Sequence, residues 1–126
     1  MHVDHLQSTF ARVYEHLVDQ GLPAYDPRRD EVRYRVAHLA SPVGFLLGDH
    51  YTEAVEGQAI LESRLLRTLL VRAGVPADDL RVRRLLASLE RLHEQVPPIR
   101  WLRELAVVAA DHEVAVPGEV RRGLVA

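Results

Sequence analysis

Apolar residues recur at three- and four-residue spacing through most of this chain, and in one stretch they alternate instead. Leu6, Phe10, Val13, Tyr14, Leu17 and Val18 form a stripe that predicts a first helix from Asp4 to Gln20. Gly21 can take the left-handed conformation after its last turn, and Pro23 blocks continuation, so residues 22–30 read as a loop. From Glu31 to Ala37 the period becomes two. Val32, Tyr34 and Val36 then share one side of a half-buried strand, with Arg33 and Arg35 on the other. A second strand from Val43 to Leu47 is expected to pair back across a turn near Ala40 to Pro42.

Further along, Asp49 or Thr52 is placed to cap a second helix, although Val55 three residues after Thr52 completes no capping box. Its regular part is expected from Gln58 through Ile60, Leu61, Leu65, Leu66, Leu69, Leu70 and Ala73 to a stop at Gly74. Its broad apolar surface predicts contacts on two sides. Pro76, Asp78 and Asp79 introduce a third helix, where helical spacing pairs Asp79 with Arg83 and Asp78 with Arg81. Its stripe of Val82, Leu85, Leu86, Leu89, Leu92 and Val96 stops at Pro97. Pro98 starts a fourth helix, with Ile99, Leu102, Leu105, Ala106 and Ala109 inward. After His112, the run from Glu113 to Gly118 can supply a short extended piece.

The expected fold is therefore α+β and mainly α, with about four helices packed around a small antiparallel β-hairpin at residues 31–47. One domain spans 1–126, and 114–126 is read as a flexible C-terminal segment. A chain of 126 residues with 48% apolar and 27% charged residues is ordinary for a globular domain and needs no staple. Cysteine is absent, which excludes disulfides, thiolate metal sites and a cysteine nucleophile. The start lacks a basic, apolar leader and no run reaches the ~20 residues of a membrane span, so a cytoplasmic protein without membrane contact is expected.

All sixteen basic residues are arginine, a bias that coding composition explains at least as well as a need for bidentate contacts. Residues 1–63 hold 5 Arg against 10 Asp plus Glu, and residues 64–126 hold 11 against 8, giving −5 and +3, the overall −2. The basic half can meet an acidic partner, yet the imbalance is small for a nucleic-acid protein.

The order Tyr34-Arg35, Pro42-Val43-Gly44, Leu46-Leu47, Tyr51, Glu56-Gly57 resembles a family of small uncharacterised phage and bacterial proteins. Arg12 to Leu17 with Gln20-Gly21, and Leu89 to Glu94 with Trp101 and Leu105 to Ala109, extend the likeness over roughly residues 8 to 113. The resemblance implies a hairpin-and-helix scaffold and no activity. Cysteines common in that family near Glu31 or Val32 and Pro42 are missing here, so no metal or redox role carries over.

Candidate chemistry is sparse. His2, Asp4 and His5 could form part of a metal site, with the two histidines three apart on one helical face, but no further ligand is identifiable, and no metal or other cofactor is expected. Asp49, His50 and Glu53 make a polar site in which His50 would be a carboxylate-oriented base, though capping explains Asp49 equally well. His93 and His112 close helices, where the dipole favours them. Trp101 reads as an anchor between helices more than a stacking platform. Phosphate-binding glycine loops and serine elbows are absent.

Arg64, Arg67, Arg72, Arg81, Arg83, Arg84 and Arg91 offer a functional surface. The stretch from Leu69 through Gly74 to Arg84 loosely resembles a helix-turn-helix, but Leu70 fills a position that wants a small residue, and Asp78 and Asp79 would face phosphate. The leading expectation is a non-catalytic binding or regulatory module, partnered by another protein, with homodimerisation through the second helix a further option. A DNA-binding regulator using residues 58–73 and 78–95 is the alternative. A metal-dependent or histidine-based enzyme stands third.

Overall fold

The computed structural model describes residues 4–118. His2, the terminal Arg121-Arg122-Gly123 and the rest of the 119–126 stretch lie outside them. Helix α1 (His5–Gln20) is capped at its start by Asp4, which accepts the N–H groups of Leu6 and Gln7, and Gly21 closes it at φ 67° as the sequence predicts. Two short antiparallel ribbons follow, β1 (Tyr25–Asp26) with β2 (Glu31–Val32) and β3 (Arg35–Val36) with β4 (Leu39–Ala40). The α+β, mainly helical class holds, but the single hairpin over 31–47 is replaced by these two ribbons.

Residues expected as the second strand form helix α2 (Pro42–Leu47). Ser41 caps it by accepting Gly44 N–H at 3.1 Å, and Pro42 sits at the first helical position, where its missing N–H is harmless. Val43, Leu46 and Leu47 are all inward, at helical rather than alternating spacing. A Ser-Pro cap thus outweighs the apolar run.

The next helix is shorter than its stripe. Gly57 (φ 80°) turns the chain, residues 58–62 coil, and α3 spans Arg64–Arg72 behind a Ser63 cap that accepts Leu66 N–H. Leu66 and Leu70 are buried, while Leu65 and Val71 face outward, so the broad apolar surface is covered on one side. Thr52 caps only a 3-10 turn (Glu53–Val55), and Asp49 and His50 sit in another (Gly48–His50). Helix α4 (Leu80–Gln95) is capped by Asp79, and α5 (Trp101–Asp111) follows a 3-10 turn begun by Pro98.

Helices α1, α2, α4 and α5 pack on one another around Phe10, Leu17, Leu47, Leu85, Leu86, Leu89 and Leu105. Helix α3 lies outside this group, against α2 and the Gly48–His50 turn. Residues 113–118 form no strand. Gln7 pairs both ways with the Ala115 backbone, and Val114 and Val116 pack against the core, so the segment expected to be flexible begins with anchored residues.

Gly44 shows how closely α2 sits on the ribbons. A Cβ there would fall 1.9 Å from the Tyr34 carbonyl oxygen, which already accepts Ser41 N–H at 3.0 Å. Backbone cannot yield as a flexible side chain can. Gly44→Ala is expected to cost about 3 kcal/mol of stability in urea unfolding; an unchanged midpoint would show that α2 can draw back freely.

Candidate functional site

The most connected polar group lies between the ribbons and the 51–58 loop. Arg33, expected on the outer side of a strand, is 9% exposed, and its guanidinium meets Glu53 at 2.6 Å, Glu31 at 3.4 Å and Glu56 at 3.9 Å. Burial alone would lower its pKa, but the hydrogen bond to Glu53 and the charges of Glu56 and Glu53 outweigh that and raise it. Glu56 also accepts Tyr34 N–H (2.9 Å), Arg35 N–H (3.2 Å) and the Tyr51 hydroxyl (2.7 Å). Arg35 is likewise turned inward. It donates to the carbonyls of Gly44 and Gly48 and lies over the Tyr51 ring.

This network fixes one wall of a groove of about 500 Å³ whose other wall is α4. Val32, Tyr34, Ile60, Leu61 and Ala87 supply apolar surface, and the charged lining is Glu56, Glu62, Glu90 and Glu94 against Arg33 and Arg91. Since Arg33 is already matched by glutamates, the lining carries excess negative charge. The Tyr34 hydroxyl donates to the Gln58 carbonyl, which ties the 57–62 coil to the ribbon.

Glu90 is the chemically unusual member. One of its oxygens accepts Val43 N–H, near the start of α2, at 2.8 Å. Burial raises its pKa to about 7, the Val43 and Ser41 hydrogen bonds pull the other way, and the charges of Glu94 and Glu56 add to the rise. It therefore carries a proton part of the time near neutral pH.

A second groove, of about 600 Å³, lies between α1 and the β3–β4 turn, lined by Arg12, Glu15, His16, Asp19, His38 and Phe45 among others. His16 stacks on Phe45, with ring centres 4.2 Å apart, and donates to the Ala40 carbonyl at 2.8 Å. Burial holds the His16 pKa below its usual value. Arg12 stands against Glu15 and Asp19 in this groove, and its central histidine is committed to holding β4.

The residues singled out from sequence are dispersed. Asp49 and His50 are exposed, and neither hydrogen-bonds the other; Glu53 is given to Arg33. Among the described residues, no three potential metal-liganding side chains come together. Arg81 pairs with Asp79 at 2.9 Å rather than with Asp78, and Arg83 donates to the Ala77 and Asp78 carbonyls rather than to Asp79. Arg64 and Arg84 are exposed, Arg67 is partly buried, and Arg91 reaches the groove rim. Trp101 is 4% exposed and donates to the Val96 carbonyl, which makes it an anchor.

Sequence reading missed Glu56 and Glu90. Glu90 follows Leu86 by four residues and so falls on the edge of the apolar stripe, where a carboxylate is out of place. For Glu56 no local signal existed, since the backbone N–H groups it accepts, those of Tyr34 and Arg35, lie more than twenty residues away. Compared with protein-family models, curated proteins and solved structures, the chain matches none. No helix among the described residues is long and apolar enough to cross a membrane.

Proposed function

We propose that this chain is a non-catalytic protein-binding module that takes a basic, extended segment of its partner into the groove beside α4. One observation carries the reading. Glu90, with Glu94 beside it, places carboxylates in a groove whose opposite wall is braced by the Arg33–Glu56–Tyr51 network. A desolvated carboxylate gains most from an incoming cation, and an apolar lining gives neighbouring side chains a place to bury. The braced wall limits the ordering cost of binding.

DNA recognition is less well supported. Helix α3 packs chiefly on α2 and the Gly48–His50 turn, so it does not form with α4 the paired unit of a helix-turn-helix. Two of the arginines nearest the start of α4 are occupied by Asp79 and by the Ala77 and Asp78 carbonyls.

Capture from host lysate separates the two readings. A partner retained by the wild type is expected to be lost with Ala87→Arg, which fills the groove, and kept with the Arg83→Ala/Arg84→Ala double variant. Salt-sensitive binding to duplex DNA that vanishes in the double variant, with the groove variant unaffected, would overturn the proposal.

A further inference from the structure

Helix α4 also holds a buried histidine whose contacts have an unusual chemical consequence. His93 is 1% exposed, and its Nε2 lies 2.9 Å from the Ala24 backbone nitrogen, which donates to it. Because a backbone N–H is a fixed donor, Nε2 must be an unprotonated acceptor, and the neutral ring carries its proton on Nδ1. Nδ1 is buried and has no hydrogen-bond partner. A second proton would therefore go to Nε2, where it would turn an acceptor into a donor aimed at a donor.

We propose that His93 is an acid-operated latch: protonation of Nε2 expels Ala24 and opens the 22–32 segment while the helices stay packed. The segment is attached in a way that lets this happen. Ala24 is fully buried, its carbonyl accepts Arg33 N–H at 2.9 Å, and the β1–β2 ribbon follows at once through the Tyr25 and Val32 pairing. Losing the Ala24 contact thus loosens Val32 and Arg33, which line the groove, although the latch itself does not depend on what the groove binds.

The charged surroundings do not rescue the imidazolium. From α1 the facing titratable group is His16, a like charge once protonated. Helix α2 has no titratable residue, and α5 presents the Trp101 ring, with its centre 5.9 Å from that of His93. On α4 itself Glu90 is held by Val43 N–H, and Glu94 makes no hydrogen bond to the ring. Within the loop, Asp26 serves Arg28 N–H and Arg29, and Asp30 accepts from the Tyr25 hydroxyl. Burial accordingly pushes the His93 pKa down to about 4, with His16 a smaller contribution in the same direction.

In the opened segment the imidazole regains its ordinary pKa, so opening should become about tenfold more favourable per pH unit below ~6.5. Amide hydrogen exchange, corrected for intrinsic rates and compared at pH 6.5 and 4.5, tests this. Protection at Ala24, Val32 and Arg33 is expected to fall about 40-fold, while Leu89 and Leu105 keep theirs within about threefold. In His93→Gln, whose amide oxygen can still accept Ala24 N–H, the selective loss should disappear. Equal loss in the variant, or loss at Leu89 in step with Ala24, would overturn the latch. Should that variant not fold, the imidazole nitrogen shifts of the wild type decide: the Nδ1–H tautomer is expected at pH 6.5, and an Nε2–H tautomer would contradict the proposal.

Discussion

Replacing Glu56 with alanine is expected to cost about 4 kcal/mol of folding stability, a large share of what a domain of this size possesses. Glu56 accepts two backbone N–H groups, those of Tyr34 and Arg35, together with the Tyr51 hydroxyl, and it stands 3.9 Å from the buried Arg33 guanidinium. Deleting it strands the Tyr34 and Arg35 N–H groups and leaves the Tyr51 hydroxyl only its longer contact with Glu53 (3.3 Å), and each buried unsatisfied donor costs roughly 1–3 kcal/mol. Glu53 remains at 2.6 Å from Arg33, so that charge is not abandoned entirely, which keeps the loss below the sum of the parts. Glu56→Gln retains one good acceptor and should fall about halfway. Urea unfolding measures both. A loss under about 1 kcal/mol for alanine would mean that the 52–58 loop is not held through this residue.

The second large effect is hidden in the wild type and emerges in variants. Glu90 has its pKa raised from 4.5 to about 7, and His93 has its own lowered from 6.5 to about 4, in both cases first by burial. Stability rises with pH wherever the unfolded chain holds more protons than the folded one. For His93 that window runs between about 4 and 6.5, so its contribution is fully present above 6.5 and is lost as pH falls through the window. For Glu90 the folded chain holds the extra proton between 4.5 and about 7, so its contribution is full below 4.5 and is lost as pH rises. The two slopes oppose each other between pH 4.5 and 6.5.

Relative to the wild type, Glu90→Gln should lose about 2–3 kcal/mol more stability on going from pH 6.5 to 4.5, because His93 then acts alone. His93→Gln should show the opposite trend by a similar amount. Urea unfolding at the two pH values provides the comparison. Parallel behaviour of all three proteins would mean that neither group titrates as its burial requires.

The helices were legible because their signals are local. The Gly21 stop, the Pro97 break and the stripe from Val82 to Leu92 all act within a turn or two of the residues they govern. What failed was arbitration between competing local signals. In residues 41–47 the apolar run suggested a strand, while Ser41-Pro42 specified a helix start, and the Gly44 contact with Tyr34 favours the helix through packing that no window along the chain contains. In residues 58–63, apolar Ile60 and Leu61 continued a stripe that Gly57 and the Ser63 cap interrupt.

The candidate site was less legible still, since it is built from long-range pairings. Arg33 looked like an outward strand residue because alternation assigns faces without knowing what covers them; Glu31, Glu53 and Glu56 cover this one. The arginines of α4 drew attention by number, but Arg81 and Arg83 are used to finish the start of their own helix. Among the described residues, the buried polar network is built on Arg33, Glu56 and Glu90 rather than on the arginines of α3 and α4.

Titration of the isotope-labelled protein with a capped Leu-Arg-Leu-Arg-Leu peptide measures most directly whether the groove beside α4 takes a basic, extended segment. Shift changes are expected at residues 57–62 and 87–95, with affinity reduced about tenfold or more in Glu90→Gln/Glu94→Gln, and no response to the peptide carrying glutamate for arginine. Equal binding of both peptides, or shifts centred on the exposed arginines of α3 and the start of α4, would contradict it.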